Sequence, residues 1–442
     1  MNSRFKEICA DIEHELSCWG EHETEPHVSQ LRMGRRITYS ALLYGKIILN
    51  NEIEEDIVKC YSFRCGEVNV LAYEVQSGNI YFLVTPYMAY WGYFDKEWVF
   101  HSFAKDSSHV FDIRTPSFEV IRQQIEKLRK KFFLKSLTSF FRKRKRILQL
   151  SVFNLGHHIW NEQSGIDYLI SSGLIKMIDK FVFYIDYFNI SKMLRQNYHI
   201  KSSFTKKGFM TRDIVINPSV QIYQKRTTSR LLDFCLSNAN INHLKLDDKF
   251  VIVMCIRSNI RVWLQEKEGL ACIINDISDQ YKDKNILFLI DGFSIPAGSK
   301  LPKTAEVYIN NDKKEYQKIL SCVSSNYLQN VKSIIGYNCV DKVAIYNKAK
   351  ILVMPYGTPE HYNWIVEKPI ITYGPQAARN LSNILNGSGI LSQEGEGVVI
   401  NNTAVPVEKI EEFRNLNYSM DYKILENLIL EKLNSFYKGD NA

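Results

Sequence analysis

The second half of the chain alternates short, continuously apolar runs with longer segments whose apolar residues recur every three or four positions. The runs Lys249–Ile256, Asn285–Ile290 and Lys350–Pro355 predict buried strands, and Trp263–Tyr281 predicts the longest helix between them. A further strand is predicted at Ala305–Ile309. Strands of this kind that alternate with helices are typical of a parallel sheet covered on both faces. The remaining predicted elements are helices at Tyr316–Val323, Asp341–Lys348 and Pro359–Glu367 and strands at Ser333–Ile335 and Pro369–Tyr373.

The first half begins with a different pattern. Val68–Val75, Asn79–Val84 and Trp98–Phe103 are rich in β-branched and aromatic residues, and the turn Ser77-Gly78-Asn79 lies between the first two. These segments predict a small antiparallel sheet. Apolar residues then recur at helical spacing in Pro116–Arg146, which predicts one long helix or two short ones.

An α/β pattern follows this helical stretch. Strands predicted at Ile147–Phe153 and Lys180–Ile185 flank a helix predicted at Glu162–Ser171, which is the strand–helix–strand unit of a parallel sheet. The predicted fold class is therefore α/β, with two Rossmann-like domains facing a cleft and an additional β-containing N-terminal region. Ligands of such sheets bind beyond the carboxyl ends of the strands, so the loops there are expected to carry the chemistry.

A chain of 442 residues is too long for one small core. We expect an N-terminal region at 1–146 with the small sheet and a basic helix, a first Rossmann-like domain at 147–240 that part of 1–146 completes, a second at 249–405, and C-terminal helices at 406–442. A helix is also predicted at Ser3–Cys18, two helices within Val407–Tyr437, and a linker near Thr227–Asp248.

The net charge of +8 is concentrated in one stretch, Arg129–Arg146, which contains no acidic residue. Phenylalanines such as Phe132, Phe133 and Phe140 interleave with the cations, and this combination suits the surface of an anionic membrane. The alternative is a helix that packs on the core with a solvated cationic face. No second basic feature supports nucleic acid as a partner.

The cysteines and the N-terminus indicate the compartment. Nine cysteines are scattered without a CxxC motif, which favours reduced thiols in the cytoplasm. Residues 1–25 lack the apolar run of a signal peptide, and no apolar run reaches the roughly 18 residues of a membrane span. We expect a cytoplasmic protein, at the inner face of the cytoplasmic membrane if the basic stretch docks there.

Arg257, Asn259 and Arg261 follow directly after the first apolar run of the second half. Guanidinium groups match the geometry of phosphate oxygens, and a helix that begins here adds unpaired N–H groups. These residues therefore predict a phosphate contact, with Arg257 as the stronger candidate. The alternative is that one arginine pairs with an acid such as Glu266 or Asp291.

A second candidate anion pocket follows the apolar run that ends at Pro355. Gly357 permits close approach of the backbone, Thr358 is a candidate N-cap, and Pro359 suits the first position of a helix. An ordinary connection between a strand and a helix is the alternative.

The stretch AIYNKAKILVMPYGTPEHYNWIVEKPIITYG, residues 344–374, resembles the donor half of GT-B glycosyltransferases. In that superfamily a strand leads to a Gly-Thr or Gly-Ser turn, and a helix then leads to Lys-Pro and a last strand. The layout extends from about Lys249 onward, but the glycine-rich form of the turn is absent. The donor contacts that the resemblance implies are Gly357, Thr358 and His361 for the diphosphate and Glu367 for the ribose hydroxyls, and Tyr356 is a further donor-binding candidate.

The resemblance also implies that acceptor chemistry lies in loops of the N-terminal domain, where inverting members use a histidine or a carboxylate as general base. His157, His158 and Glu162 follow the first strand of that domain. Histidine suits the role because it is largely neutral at working pH. We expect His158 as the base, His157 as the next candidate, and Glu162 as orienter or alternative base. The alternative is that one histidine caps a helix and the other packs on Trp160.

Several classes of enzyme lack support in the sequence. No Asp-x-Asp pair stands at a strand end, which favours a mechanism without a metal in which arginines and helix N-termini stabilise the leaving diphosphate. GxxxxGK[ST], GxGxxG and GxSxG are absent, which argues against an ATPase, a classical dehydrogenase and an α/β-hydrolase.

The sequence and its resemblance together predict a metal-independent, inverting glycosyltransferase. It would move a sugar from a nucleotide-sugar donor to a hydroxyl of a glycan, for example a bacterial capsule or lipopolysaccharide. The alternatives are a nucleotide-sugar epimerase of the same fold and a non-catalytic partner or chaperone protein of a glycosylation system.

Overall fold

The structure is a computed structural model that describes residues 5–11, 25–49, 53–65, 68–84, 89–102, 117–138, 142–151, 155–205, 208–219, 228–259, 262–300, 303–374 and 417–439. The chain divides into two compact units, Met1–Thr227 and Thr228–Ala442.

The first unit contains a seven-stranded antiparallel sheet, which confirms the predicted N-terminal β region. Its strands are β1 (Lys46–Leu49), β2 (Ile53–Cys65), β3 (Val68–Val75), β4 (Ile80–Val84), β5 (Ala89–Phe94), β6 (Phe100–Ser102) and β10 (Phe209–Thr211). Strands β1 to β6 are neighbours in chain order, and β2 is long because its first half pairs with β1 and its second half with β10. Gly78, with a φ of 97°, makes the predicted turn between β3 and β4.

A four-stranded parallel sheet completes the β-structure of the first unit. Its strands are β7 (Arg146–Leu150), β8 (Lys180–Phe183), β9 (Lys201–Phe204) and β11 (Ile214–Ile216), in the order β11-β7-β8-β9. The predicted strand–helix–strand unit is thus confirmed. Two buried hydrogen bonds of 2.7 Å join the sheets, from Gln149 Nε2 to Ser62 Oγ and from the Tyr73 hydroxyl to the Val215 carbonyl oxygen.

Helices cover the sheets of the first unit. Pro116–Arg146 yields one long helix, Phe118–Thr138, which packs Ile121, Ile125 and Leu128 on the antiparallel sheet because residues at this spacing share a helix face. Residues 5–11 are helical and are the described part of the helix predicted at Ser3–Cys18. The other helices are Glu25–Tyr44, Leu155–His157, the π-helix His158–Gln163, Ser164–Ser171, the 3-10 helix Leu174–Met177 and Ile190–Tyr198.

The second unit is built on a five-stranded parallel sheet. Its strands are β12 (Phe250–Cys255), β13 (Ile286–Asp291), β14 (Val331–Ser333), β15 (Ile351–Pro355) and β16 (Ile370–Tyr373). The order β14-β13-β12-β15-β16 is the Rossmann order, in which the chain moves outward from β12 and then crosses to its other side. This five-stranded sheet and the parallel sheet of the first unit together confirm the predicted α/β fold class.

The helices of the second unit are Thr228–Asn238, Glu266–Gln280, Lys303–Cys322, Cys339–Lys348, Asn363–Val366 and Tyr422–Gly439, with 3-10 helices at Asn242–Leu244, Ser325–Asn330 and Thr358–Tyr362. Side chains on both faces of β12 are buried, for example Ile252 and Val253, which explains why the strand is apolar at consecutive positions.

The strand predicted at Ala305–Ile309 is wrong, because these residues belong to the helix Lys303–Cys322. The five residues resemble a strand in composition, yet Ala305, Ile309 and Ile319 are buried while Val307 is 58% exposed. Burial thus follows a helical period over a window longer than five residues. The predicted helix Tyr316–Val323 is the second part of the same helix.

Two predicted boundaries also change. The linker near Thr227–Asp248 is instead a helix, Thr228–Asn238, which packs Leu231 and Cys235 into the second unit. The C-terminal tail contains one described helix, Tyr422–Gly439, and residues 407–416 of the tail predicted to hold two helices lie outside the described residues.

The arginines of the basic stretch bind within the first unit. Arg129 contacts the Tyr61 hydroxyl and Glu74, and Arg142 pairs with Asp213 at 2.7 Å. Arg144 and Arg146 donate to backbone carbonyl oxygens of other segments, at 2.6 Å from each Nε. Much of this charge therefore holds the unit together. No helix within the described ranges is long and apolar enough to cross a membrane.

Candidate functional site

The carboxyl ends of the strands meet at one edge of the sheet in the second unit. β12 and β15 are parallel neighbours, so Arg257, which follows β12, and Gly357, which follows β15, lie at the same edge. Tyr373 at the end of β16 joins both loops, because its carbonyl oxygen accepts from the Tyr356 N–H at 2.7 Å and its hydroxyl lies 2.7 Å from the Cys255 carbonyl oxygen. The fold therefore brings together the two segments that the sequence predicted.

Arg257 is only 9% exposed, and its Nη1 has no hydrogen-bond partner among the described residues. The alternative of an ion pair with Glu266 or Asp291 does not hold there. Glu266 Oε2 instead accepts the backbone N–H of Arg257 at 3.3 Å, and Asp291 pairs with Lys342. A buried donor without an acceptor costs about 1–3 kcal/mol, a cost that a bound anion would remove.

Glu266 begins the helix Glu266–Gln280, three residues later than the predicted start at Trp263. The helix N-terminus that was predicted beside Arg257 therefore lies further along the chain. The carboxylate of Glu266 contacts the Arg257 backbone instead. Glu266 Oε1 lies 3.0 Å from the Tyr373 hydroxyl oxygen. Burial raises the pKa of Glu266 to about 8, although hydrogen bonds from Arg257 and Tyr373 oppose the rise.

A buried ion pair fixes the loop after β13. Asp291 Oδ1 lies 2.5 Å from Lys342 Nζ, and the Tyr346 hydroxyl donates to the other oxygen of Asp291. Lys342 also donates to the Gly292 carbonyl oxygen at 2.9 Å and to Ser294 Oγ at 3.0 Å. The ammonium group thus donates two hydrogen bonds and forms an ion pair with Asp291, so this lysine holds the loop in place.

Asp312 ties the loops after β12 and β13 together. Ser258 Oγ donates to one of its oxygens, and the Phe293 N–H donates to the other at 2.7 Å. Burial raises the pKa of Asp312, and these two hydrogen bonds oppose the rise. A Cβ atom at Gly292 would lie 2.6 Å from Asp312 Oδ2, so the close approach depends on the glycine.

The turn after β15 differs from its prediction in the element that follows. Gly357 has a φ of 123°, a conformation that favours glycine. A 3-10 helix, Thr358–Tyr362, comes next, and one short α-helical segment, Asn363–Val366, replaces the continuous helix predicted at Pro359–Glu367. The anion pocket predicted here would therefore rely on the glycine turn rather than on the dipole of an α-helix.

The other predicted donor residues have varied environments. Asn259 is exposed, whereas Tyr356 is 9% exposed. His361 is partly buried, with its ring 4.4 Å from that of Trp364. Arg261 and the side chain of Thr358 lie outside the described residues.

Glu367 lies at the opposite edge of the sheet from Arg257. It precedes β16 and is close to the start of β15, where the Leu352 N–H donates to the Pro369 carbonyl oxygen at 2.9 Å. Strands of four or five residues separate the two edges by about 13–17 Å. The helical segment after Gly357 thus carries the chain away from the site, and the structure does not bring Glu367 to the predicted ribose contact.

The first unit contains a buried His–Glu pair in a π-helical segment. His158 Nδ1 lies 2.7 Å from Glu162 Oε2, and both side chains are fully buried. His158 Nε2 lies 3.0 Å from Gln163 Nε2. Glu162 is thus placed to orient the His158 ring, but a substrate would have to displace Gln163 to reach Nε2. π-Helical segments within α-helices are frequent at functional sites.

His157, in contrast, is partly exposed, and its Nδ1 lies 3.2 Å from Asn161 Oδ1. The predicted turn at these histidines is a helix, so neighbouring side chains point in different directions. The ring of His158 stacks on Phe188, with centroids 5.8 Å apart and an angle of 15° between the planes. This packing explains the burial of His158.

A polar cluster surrounds Glu162 at the carboxyl ends of β7, β8 and β11. Glu162 Oε1 accepts the Ser151 N–H at 2.6 Å, and Asn217 Nδ2 donates to Ser151 Oγ at 2.7 Å. Asp186, after β8, is fully buried, and burial raises its pKa. The carboxyl edge of this sheet is therefore also polar, as expected for the ligand-binding edge of an α/β sheet.

Sequence reasoning did not identify Lys342, Tyr373 or Asp312 as parts of the site, and it considered Glu266 and Asp291 only as partners of the arginines. Asp291 carried a usable signal, because a single acid directly ends an apolar strand. Lys342 and Asp312 lie on helices and become neighbours of the strand ends only through the fold. Within the described stretches, no group of three or more His, Cys, Asp or Glu side chains is arranged to hold a metal ion.

Comparison with known proteins yields structural similarities only. No protein-family model and no curated protein matches the chain. The crystal structure of the glycosyl transferase family 9 from Veillonella parvula DSM 2008 is 10% identical, covers 66% of this chain and 99% of its own, and has a TM-score of 0.39.

Two further structures are similar in the same range. E. coli ADP-heptose lps heptosyltransferase II is 10% identical and covers 68% of this chain and all of its own, with a TM-score of 0.37. A UDP-forming trehalose-phosphate synthase from Burkholderia xenovorans is 10% identical, with coverages of 64% and 72% and a TM-score of 0.27. Similarity at this level does not assign this chain to a family.

Proposed function

We propose that this chain is a glycosyltransferase that moves a sugar from a nucleotide-sugar donor to a hydroxyl of a glycan acceptor, without a metal and with inversion. A bacterial surface glycan such as a capsule or lipopolysaccharide is the acceptor class we expect. The observation that carries the proposal is the buried Arg257 guanidinium, whose Nη1 has no partner among the described residues. It follows the central strand of a sheet with Rossmann order, at the edge where such sheets bind ligands.

The donor site would stabilise the diphosphate as it leaves. Arg257 supplies a charge that is already desolvated, and a preorganised charge of this kind stabilises a developing anion more than a mobile one in water. Gly357 has no side chain, which permits a phosphate group to approach the backbone of this turn closely. Asp312 and Lys342 contribute by holding the two adjacent loops rigid.

For the general base we propose His157, and we assign the buried pair of His158 and Glu162 to holding this helical segment in place. His157 is partly exposed, whereas the ring nitrogens of His158 already contact Glu162 and Gln163. In the transfer, the acceptor oxygen bonds to the anomeric carbon of the sugar while the bond between the sugar and the diphosphate breaks, and the base takes the proton of the acceptor hydroxyl.

Calorimetric titration with ADP, UDP and GDP tests the donor site. We expect the wild type to bind at least one of them and Arg257→Ala to lose roughly tenfold or more in affinity, since a charge-assisted hydrogen bond contributes about 1.5–3 kcal/mol. Lys267→Ala is the matched control, because it removes a partly exposed cation from the neighbouring helix. If no nucleoside diphosphate binds, or if the two variants behave alike, the donor site is wrong.

Incubation with nucleotide sugars in the absence of acceptor separates the proposed function from its alternatives. A transferase releases nucleoside diphosphate slowly by transfer to water, and EDTA should not change the rate. An epimerase changes the sugar and releases no nucleotide, whereas a non-catalytic protein only binds. We expect His157→Ala to abolish release and retain donor binding, with His101→Ala, an exposed histidine of the antiparallel sheet, as control.

A non-catalytic nucleotide-sugar-binding protein is the second candidate. The burial of His158, which the sequence favoured as the base, supports it. If His157→Ala and wild type release nucleotide equally slowly and no acceptor accelerates release, this candidate replaces the transferase.

We also propose contact with an anionic membrane through the lysines of the basic stretch. Lys130, Lys131, Lys143 and Lys145 are exposed. Each cation near an anionic surface contributes about 1 kcal/mol.

A further inference from the structure

The oxygen atoms around Tyr373 pose a hydrogen-counting problem. The single hydroxyl hydrogen of Tyr373 has two neighbours, the Cys255 carbonyl oxygen at 2.7 Å and Glu266 Oε1 at 3.0 Å. A carbonyl oxygen carries no hydrogen, so the shorter contact, with Cys255, requires the hydroxyl hydrogen of Tyr373. The contact with Glu266 then lacks a hydrogen unless the carboxyl group supplies it.

We propose that Glu266 is a positioning residue that acts as a neutral carboxylic acid: it donates to Tyr373, accepts the Arg257 N–H, and leaves the Arg257 guanidinium to a phosphate-bearing ligand. The proposal rests on the donor site described above. One oxygen of Glu266 then donates to Tyr373, which in turn donates to Cys255, and the other accepts from the Arg257 backbone at 3.3 Å. Every hydrogen in this series of hydrogen bonds then has an acceptor.

The charge of Glu266 decides what Arg257 can bind. An ionised Glu266 would be a resident anion beside the guanidinium and would repel an incoming phosphate. Three groups influence the pKa of Glu266: Arg257 in the loop after β12, Asp312 on a neighbouring helix, and Tyr373 on β16. Tyr418 in turn raises the pKa of Tyr373. Lys267 and Glu268, on its own helix, are exposed or partly exposed and pair with each other.

The environment of Glu266 favours the neutral form. The side chain is 7% exposed and has no ion-pair partner among the described residues. Burial raises its pKa to about 8, so it loses its proton only as the pH rises past neutrality. The geometric argument and the electrostatic argument therefore agree.

Titration with ADP and UDP between pH 7 and pH 9.5 tests the proposal. We expect the wild-type affinity to fall roughly tenfold over this range, as one added charge near the ligand predicts. Glu266→Gln keeps the shape and hydrogen bonds of the neutral acid, so it should bind like wild type at pH 7 and show no such fall. Glu268→Gln, an exposed carboxylate on the same helix, is the control and should retain the wild-type pH dependence.

Two results would overturn the proposal: a Glu266→Gln variant that loses binding at pH 7, or one that retains the full pH dependence. Infrared difference spectra provide a second measurement that needs no ligand. Wild type at pH 7 should show a protonated-carboxyl band that is lost by pH 9.5 and is missing in Glu266→Gln.

The two measurements separate the failure modes. If the infrared band is present but wild type binds no nucleoside diphosphate, the donor site fails and the positioning role fails with it. If diphosphates bind but the band is absent, the donor site stands and the neutral Glu266 is wrong.

Discussion

Glu266→Gln should alter how the stability of the protein depends on pH. The pKa of Glu266 is about 8 in the folded protein and 4.5 in the absence of the fold. Between these values the folded state retains a proton that the unfolded state has released, so the free energy of unfolding falls as the pH rises. Above the folded pKa both states are ionised and the fall ends.

The magnitude follows from the two pKa values. Each pH unit inside the window corresponds to about 1.4 kcal/mol. The pKa shift of Glu266 then lowers the free energy of unfolding by about 2 kcal/mol at pH 6 and by about 5 kcal/mol at pH 9. Wild type should therefore lose about 3 kcal/mol relative to Glu266→Gln between pH 6 and pH 9.

Urea unfolding at a series of pH values measures this difference, with tryptophan fluorescence as a signal because Trp263 packs edge-on against Tyr373 in the same core. Groups other than Glu266 titrate alike in both proteins, so their contributions cancel. Parallel stability curves for the two proteins from pH 6 to pH 9 would refute the reasoning, because they would show that Glu266 carries no proton in this window.

Three further predictions concern other parts of the molecule. Lys342→Met should lower the free energy of unfolding, measured with urea, by about 3–5 kcal/mol, since it leaves Asp291 buried without its cation. Adding Asp291→Leu should recover part of this loss. Gly165→Ala should destabilise the first unit by more than about 1 kcal/mol, because a Cβ there would lie 1.9 Å from the Pro218 carbonyl oxygen; a neutral effect in thermal unfolding would contradict that packing. Lys130→Glu/Lys131→Glu should weaken binding to anionic liposomes in co-sedimentation roughly thirtyfold or more, since two cations contribute about 2 kcal/mol, whereas Lys313→Glu/Lys314→Glu should not; equal effects would remove the membrane contact.

The sequence by itself determined the α/β character of the chain. Continuously apolar runs such as Asn285–Ile290 are typical of strands in a sheet covered on both faces, and all three such runs of the second half are strands. The candidate Arg257 and the turn at Gly357 were also readable, because ligands of parallel sheets bind where the strands end. The segment Ala305–Ile309 was misread, since five residues do not distinguish a strand from one face of a helix.

The tertiary structure alone decided which polar groups meet. Lys342 reaches Asp291, and Tyr373 reaches Glu266, across separations of 51 and 107 residues, which no local pattern records. It also buried His158, left His157 partly exposed, and placed Glu367 at the far edge of its sheet. The physical reason is that local sequence fixes the period of burial, whereas the pairing of strands fixes which charges share a desolvated site and thus which carry a proton.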